Sequence, residues 1–123
     1  MELDNNNIKN LADQAFANTY IRYPATMVKG RGCILTDADG NEYLDFLAGI
    51  AVCSLGHCNP KVTEAICSQA SELVHVSNLY YSLPQTRLAE KLISNSFGER
   101  VFFANSGAEA NEAAIKLARA ASG

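Results

Sequence analysis

Apolar side chains recur along this chain with two different periods, and the switches between them mark its elements. Ile8, Leu11, Ala12, Ala15 and Phe16 fall at helical spacing, which predicts a short amphipathic helix that ends before Pro24. Residues 26–29 and 33–37 are short strand candidates, and Glu42-Tyr43-Leu44-Asp45-Phe46 alternates polar and apolar like a half-buried returning strand. Between them Asp37-Ala38-Asp39-Gly40-Asn41 predicts a hairpin turn, because Asp and Gly tolerate positive φ. Asn59-Pro60 is a helix start, with Asn as cap and Pro in the first turn, and Val62, Ile66, Ala70 and Leu73 line one face to about residue 75. Residues 77–83 read as loop. Pro84 opens another helix, with Leu88, Leu92 and Ile93 on one side, ending near Gly98. A strand at 100–104 and an Ala-rich helix at about 107–121 follow.

The last switch carries the most chemistry. Val101-Phe102-Phe103-Ala104 stops at Asn105-Ser106-Gly107, and a helix begins at once. The first amides of a helix lack intrahelical partners and lie at the positive end of its dipole, so such a junction suits a phosphate or carboxylate. Gly107 allows close backbone approach. Ser106 can cap the helix or donate its hydroxyl to the anion. Glu109 and Glu112 fall in the first turns, where stabilising the helix dipole is their default role, and Lys116 stands four residues after Glu112 as a surface pair.

Composition narrows the classes. The 123 residues are 48% hydrophobic and 19% charged, with net charge −3, enough for one modest core and without the basic run of a nucleic-acid or anionic-membrane surface. No apolar stretch reaches transmembrane length. The polar, acidic residues 1–7 are no secretory signal and read as a frayed lead-in. Cys33, Cys53, Cys58 and Cys67 form no Cys-x-x-Cys and read as reduced thiols of a cytoplasmic protein. Cys53, His57 and Cys58 lie near one another, but the spacing is wrong for a zinc knuckle, so no metal is expected. His57 and His75 read as structural or solvent-facing, with no partner visible in sequence.

Asn105-Ser106-Gly107-Ala108-Glu109-Ala110-Asn111-Glu112-Ala113-Ala114-Ile115-Lys116-Leu117-Ala118-Arg119 resembles the phosphate-binding segment of the class III aminotransferases that use pyridoxal 5′-phosphate, most of all the acetylornithine aminotransferases. Asn18-Thr19-Tyr20-Ile21-Arg22-Tyr23-Pro24 is similar to an N-terminal block of that family. So are the hairpin blocks Lys29–Asp37 and Asp39–Phe46, then Gly49–Val52, Leu55–Pro60 and Ser77–Tyr81. The likeness spans about residues 15–121 with its blocks in order. Cys53 and Asn59 depart from the subfamily's usual Asn and His, at positions without chemistry in the family.

The resemblance implies an α/β chain. It would be the N-terminal fragment of a fold type I enzyme, made of small-domain hairpin and helices plus the first strand and helix of the large domain. The expected divisions are 1–14 for the lead-in and start of an arm helix, 15–98 for the arm and small-domain segment, and 99–123 for the start of the cofactor-binding domain. It implies that Ser106, Gly107 and Ala108 hold the cofactor phosphate and that Tyr20 lines the substrate site. Ser77-Asn78-Leu79-Tyr80 resembles a segment near the neighbouring subunit's active site. The Schiff-base lysine, the aspartate partner of the ring nitrogen and the main carboxylate-binding arginine are implied beyond this sequence, so no catalytic residue is assigned and the chain alone is expected to be inactive. A strand such as 101–104 also needs sheet neighbours that this sequence lacks. The implied activity is transfer of an amino group from N-acetylornithine to 2-oxoglutarate, in arginine biosynthesis, by a homodimer. The rivals are a sibling (ornithine, succinylornithine or 4-aminobutyrate aminotransferase, or glutamate-1-semialdehyde aminomutase) and a non-catalytic interaction fragment.

Overall fold

The computed structural model describes residues 4–123, which divide into two units, one ending at Val74 and the other beginning at His75. The first unit holds helix α1 (Asn5–Ala15), strands β1 (Met27–Arg31), β2 (Ile34–Asp37) and β3 (Glu42–Leu44), and helix α2 (Pro60–Glu72). The strands form one antiparallel sheet in the order β1-β2-β3, with Gly30 opposite Leu35 and Leu35 opposite Tyr43.

The predicted hairpin turn is built around a carboxylate. Asp37 is 1% exposed and is the buried side chain among the described residues, none of which is a buried hydrophobic. Its oxygens accept from Asn41 N at 2.8 Å, Asn41 Nδ2 at 3.0 Å, Asp39 N at 3.0 Å, Asn5 Nδ2 at 2.9 Å and Tyr43 Oη at 2.8 Å. A buried charge survives only when its lone pairs are satisfied, and here they are. The Asn41 side chain above all, then those of Asn5 and Tyr43, hold the Asp37 carboxyl well below the usual carboxylate range, although burial pushes the other way.

Helix α1 begins earlier than its apolar spacing suggests. Asp4 caps it by accepting from Asn7 N at 2.7 Å, so residues 5–7 are helical rather than a frayed lead-in; the rest of that lead-in, residues 1–3, lies outside the described residues. The apolar period cannot see a first turn made of asparagines, whereas the cap can.

After β3 the chain makes a turn of unusual hand. Ala48, Gly49, Ile50 and Ala51 have φ of 48°, 60°, 56° and 65°, a left-handed turn that costs about 1–2 kcal/mol for each residue other than glycine. Asp45 holds it at the start, accepting Leu47 N at 2.9 Å and Ala48 N at 3.0 Å. The other Asp45 oxygen lies 2.6 Å from His57 Nε2, and His57 exchanges both backbone hydrogen bonds with Gly32. Of the two readings open for His57, the structure selects the structural one, with a partner twelve residues away. The hydrogen bond from His57 first, then those from the Ala48 and Leu47 amides, lower the Asp45 carboxyl.

Glycine is required opposite this histidine. A Cβ on Gly30 would stand 2.8 Å from His57 Cβ and 2.9 Å from Cγ. Those atoms are the base of the side chain, so the backbone itself must give way. Gly30→Ala should cost about 1–3 kcal/mol of local stability, read as faster amide hydrogen exchange at Gly32 and His57, and should lengthen the His57–Asp45 contact. Unchanged stability would show that the 46–57 loop is not held there.

Both depressed carboxyls set an acid limit. A carboxyl whose folded pKa lies below its unfolded value stabilises above the unfolded value, near 3.9, and loses that contribution as pH falls through the folded one. Stability of the hairpin should therefore be flat from neutral pH to about 5 and decline below about 4. Asp37→Asn should flatten the decline, as followed by amide protection factors at Asp39 and Asn41 across pH.

The second unit holds α3 (Leu83–Ser94) and α4 (Gly107–Ser122). The strand expected at 100–104 is not formed: the segment lies outside every strand, and Phe102 is 75% exposed. A ladder needs partners, and the described residues supply none. The apolar face of α2 (Val62, Ile66, Leu73) is likewise uncovered. Among the described residues no helix is long and apolar enough to cross a membrane. Cys33, Cys53, Cys58 and Cys67 are free thiols.

Candidate functional site

Helix α4 begins where the sequence places the anion site. Ser106 is its N-cap, with extended backbone, and its Oγ accepts from Glu109 N at 3.2 Å. Glu109 reaches back, its carboxylate accepting from Asn105 N at 2.7 Å. The two bonds approximate a capping box, and the Ser-x-x-Glu spacing at 106–109 is the signal that shows it in the sequence. Glu109 thus does more than balance the dipole. The expected surface pair of Lys116 with Glu112 is present at 3.7 Å.

Three donors remain at the junction. Among the described residues no hydrogen bond engages the amides of Gly107 and Ala108, as expected of a first helical turn. The Ser106 hydroxyl uses a lone pair in capping and keeps its proton to donate. A Cβ built on Gly107 meets no atom outside its own helix and chain neighbours within 4 Å, so the space beside this residue is open. Donor set, dipole and space fit a phosphate group. The structure thereby brings Ser106, Gly107 and Ala108 together on one helix end.

In the same unit, residues 78–82, α3 and the 101–103 segment border a hollow of about 330 Å³ lined by Asn78, Tyr80, Gln85, Thr86 and Phe103 among others. Ser77, at φ 58°, turns the chain there and accepts from Leu79 N at 3.2 Å. His75 is exposed.

Tyr20 belongs to the first unit. It is 72% exposed on the segment between α1 and β1, and the Arg22 guanidinium lies 5.8 Å from its ring and 5.3 Å from that of Phe16. Cation–π contacts at such range are worth about 0.5–1 kcal/mol when exposed, enough to bias the tyrosine's rotamer. Sequence reading left Arg22 without a role. It also missed the Asp45–His57 pair and the contacts of Asn5, since nothing local links residues so far apart.

The family model for class-III aminotransferases matches residues 15–123. The acetylornithine aminotransferase of Caldanaerobacter subterraneus subsp. tengcongensis is 62% identical over 102 residues, which cover 83% of this chain and 26% of that protein. Among solved structures, the acetylornithine aminotransferase of Elizabethkingia anophelis superposes with a TM-score of 0.90 at 33% identity, over 95% of this chain and 29% of the other. The ornithine aminotransferase of Toxoplasma gondii, in a structure with partial occupancy of pyridoxal 5′-phosphate at its active site, gives 0.90 and 33% over 96% and 28%. The chain spans about a quarter of the length of the curated relatives it matches.

Proposed function

Because the chain belongs to the class-III aminotransferases, we propose that it is the N-terminal part of an enzyme that moves the amino group of N-acetylornithine to 2-oxoglutarate. Pyridoxal 5′-phosphate would be the carrier, the setting arginine biosynthesis in the cytoplasm, and the working unit a homodimer. The observation that carries the reading is the 62% identity to an acetylornithine aminotransferase across 83% of the chain, in a family whose members depend on this cofactor. When bound, the cofactor supplies the electron sink that lets an amino group leave one carbon and join another.

The chain's own residues would bind and orient. The Gly107 and Ala108 amides and the Ser106 hydroxyl would hold the phosphate at the end of α4, where the dipole adds to the attraction and the donors are fixed in advance. Tyr20 would line the substrate site. Residues 99–123 would open the cofactor-binding domain, and 15–98 would belong to the arm and small domain. The lysine, ring-nitrogen aspartate and carboxylate-binding arginine would come from outside this sequence.

Ornithine is the second reading for the amino donor, favoured by the equally high superposition on an ornithine aminotransferase. The two are separated by kcat/KM of the full enzyme with N-acetylornithine, ornithine and 4-aminobutyrate, with 2-oxoglutarate as acceptor. A preference for N-acetylornithine of about a hundredfold is expected, the scale that one buried polar group left unpaired commonly produces. A preference for free ornithine would overturn the assignment.

A further inference from the structure

We propose that Asn5 is a positioning residue for the substrate site, acting as the clasp of the segment that carries Tyr20. The proposal rests on the reading of Tyr20 as a substrate-lining residue and extends it to a residue outside the stretch that resembles the family.

The observation is a long-range junction on one side chain. Asn5 Oδ1 accepts from Thr26 N at 2.7 Å, across twenty-one positions of sequence. Asn5 Nδ2 donates to Asp37 Oδ2 at 2.9 Å and to Asp39 Oδ2 at 3.0 Å, while Asn5 N donates to Asp39 Oδ1 at 2.9 Å. The amide orientation is fixed by chemistry, since Thr26 N can only donate and the two carboxylates can only accept. Thr26 O in turn accepts from Ala38 N at 2.9 Å. Both ends of the stretch from residue 5 to residue 26 are thus pinned to one hairpin turn, whose central carboxylate is 1% exposed.

Past α1, the stretch between the pins has little else in this chain to hold it. Among the described residues, hydrogen bonds within 17–25 are those of Thr19 N and Oγ1 to Ala17 O. Residues 16–24 are exposed, and Arg22 over Phe16 and Tyr20 is their further contact. A loop with so few bonds of its own takes its position from its ends. Three of the clasp's bonds end on carboxylates, the stronger kind. Opening it lowers the fraction of molecules in which Tyr20 is in place, and apparent substrate affinity falls by that fraction.

The test compares Asn5→Ala, Tyr20→Ala and the double variant in the full enzyme. Amide hydrogen exchange at residues 16–26 is measured beside steady-state kinetics for the amino donor. Asn5→Ala should speed exchange at Thr26 by about tenfold or more. It should raise KM about fivefold, with a smaller change in kcat. In the double variant KM should be no higher than in Tyr20→Ala, because the clasp acts through the tyrosine. Asn5→Asp guards against loss of folding. An acid at the first turn favours α1 itself and keeps an acceptor for Thr26, but faces the Asp37 and Asp39 carboxylates with no donor. It should raise KM in the same direction. Faster exchange with unchanged KM in the asparagine variants would overturn the proposal, as would unchanged exchange at Thr26. Unchanged KM in Tyr20→Ala would instead remove the reading of Tyr20, and the proposal with it.

Discussion

Gly107→Val in the full enzyme should weaken binding of pyridoxal 5′-phosphate by more than a hundredfold, and Ser106→Ala should weaken it by about ten- to a hundredfold. The glycine would matter because, on the proposed reading, a phosphate approaches its amide. Beyond its own helix and chain neighbours, no atom of this chain lies within 4 Å of a Cβ built there, so packing within this chain does not require glycine at this point. A valine would put two methyl groups into that open space and restrict the backbone. The serine would contribute a hydroxyl donor to a charged acceptor, worth about 1.5–3 kcal/mol. Ser106→Ala also removes a helix cap, at about 1 kcal/mol of stability. The two effects separate by measurement. Equilibrium dialysis of the cofactor against apoenzyme reports affinity, and a thermal melt in excess cofactor reports folding. If Ser106 only caps, the melt shifts and affinity does not. If affinity is unchanged in both variants, the junction is a capped helix start and nothing more.

The 123-residue chain on its own should neither transaminate nor behave as a folded monomer. Among the described residues no hydrophobic side chain is buried, while Tyr20, Ile21, Phe46, Ile50, Leu79, Tyr81, Phe97 and Phe102 are each at least 70% exposed. Apolar surface on this scale drives association, and the hydrogen-bonded hairpin cannot replace a core, since a typical hydrogen bond nets only about 1 kcal/mol. Sedimentation velocity should show oligomers or aggregates, and heating should give no cooperative transition. A sharp monomer with a cooperative melt would contradict this, as would conversion of N-acetylornithine with 2-oxoglutarate by the rigorously purified chain.

What was legible in the sequence was local. Asn59-Pro60 announces α2, and the structure shows the asparagine accepting from Lys61 N at 3.1 Å. Ser106 before an Ala-rich run announces α4, and Asp-x-Asp-Gly-Asn announces the hairpin. Each is a motif whose partners lie within a few residues. What escaped depends on contacts across the chain. His57 meets Asp45, Asn5 meets Thr26 and Asp37, and no period or spacing joins them. The left-handed turn at 48–51 escaped for another reason: three of its four residues are not glycine, and its start is held by Asp45 through the Leu47 and Ala48 amides. The segment at 101–104 has strand composition and no strand, because composition gives the tendency and neighbours give the ladder. In the candidate site the helix start at Ser106 was legible, whereas Arg22's place over Tyr20 needed coordinates.

A crystal structure of the full enzyme loaded with pyridoxal 5′-phosphate tests the central claim most directly, that the N-terminus of α4 holds the cofactor. The prediction is that phosphate oxygens lie about 2.7–3.2 Å from the amide nitrogens of Gly107 and Ala108 and at a similar distance from Ser106 Oγ. A cofactor bound with its phosphate on other donors, and these three groups facing water, would contradict it.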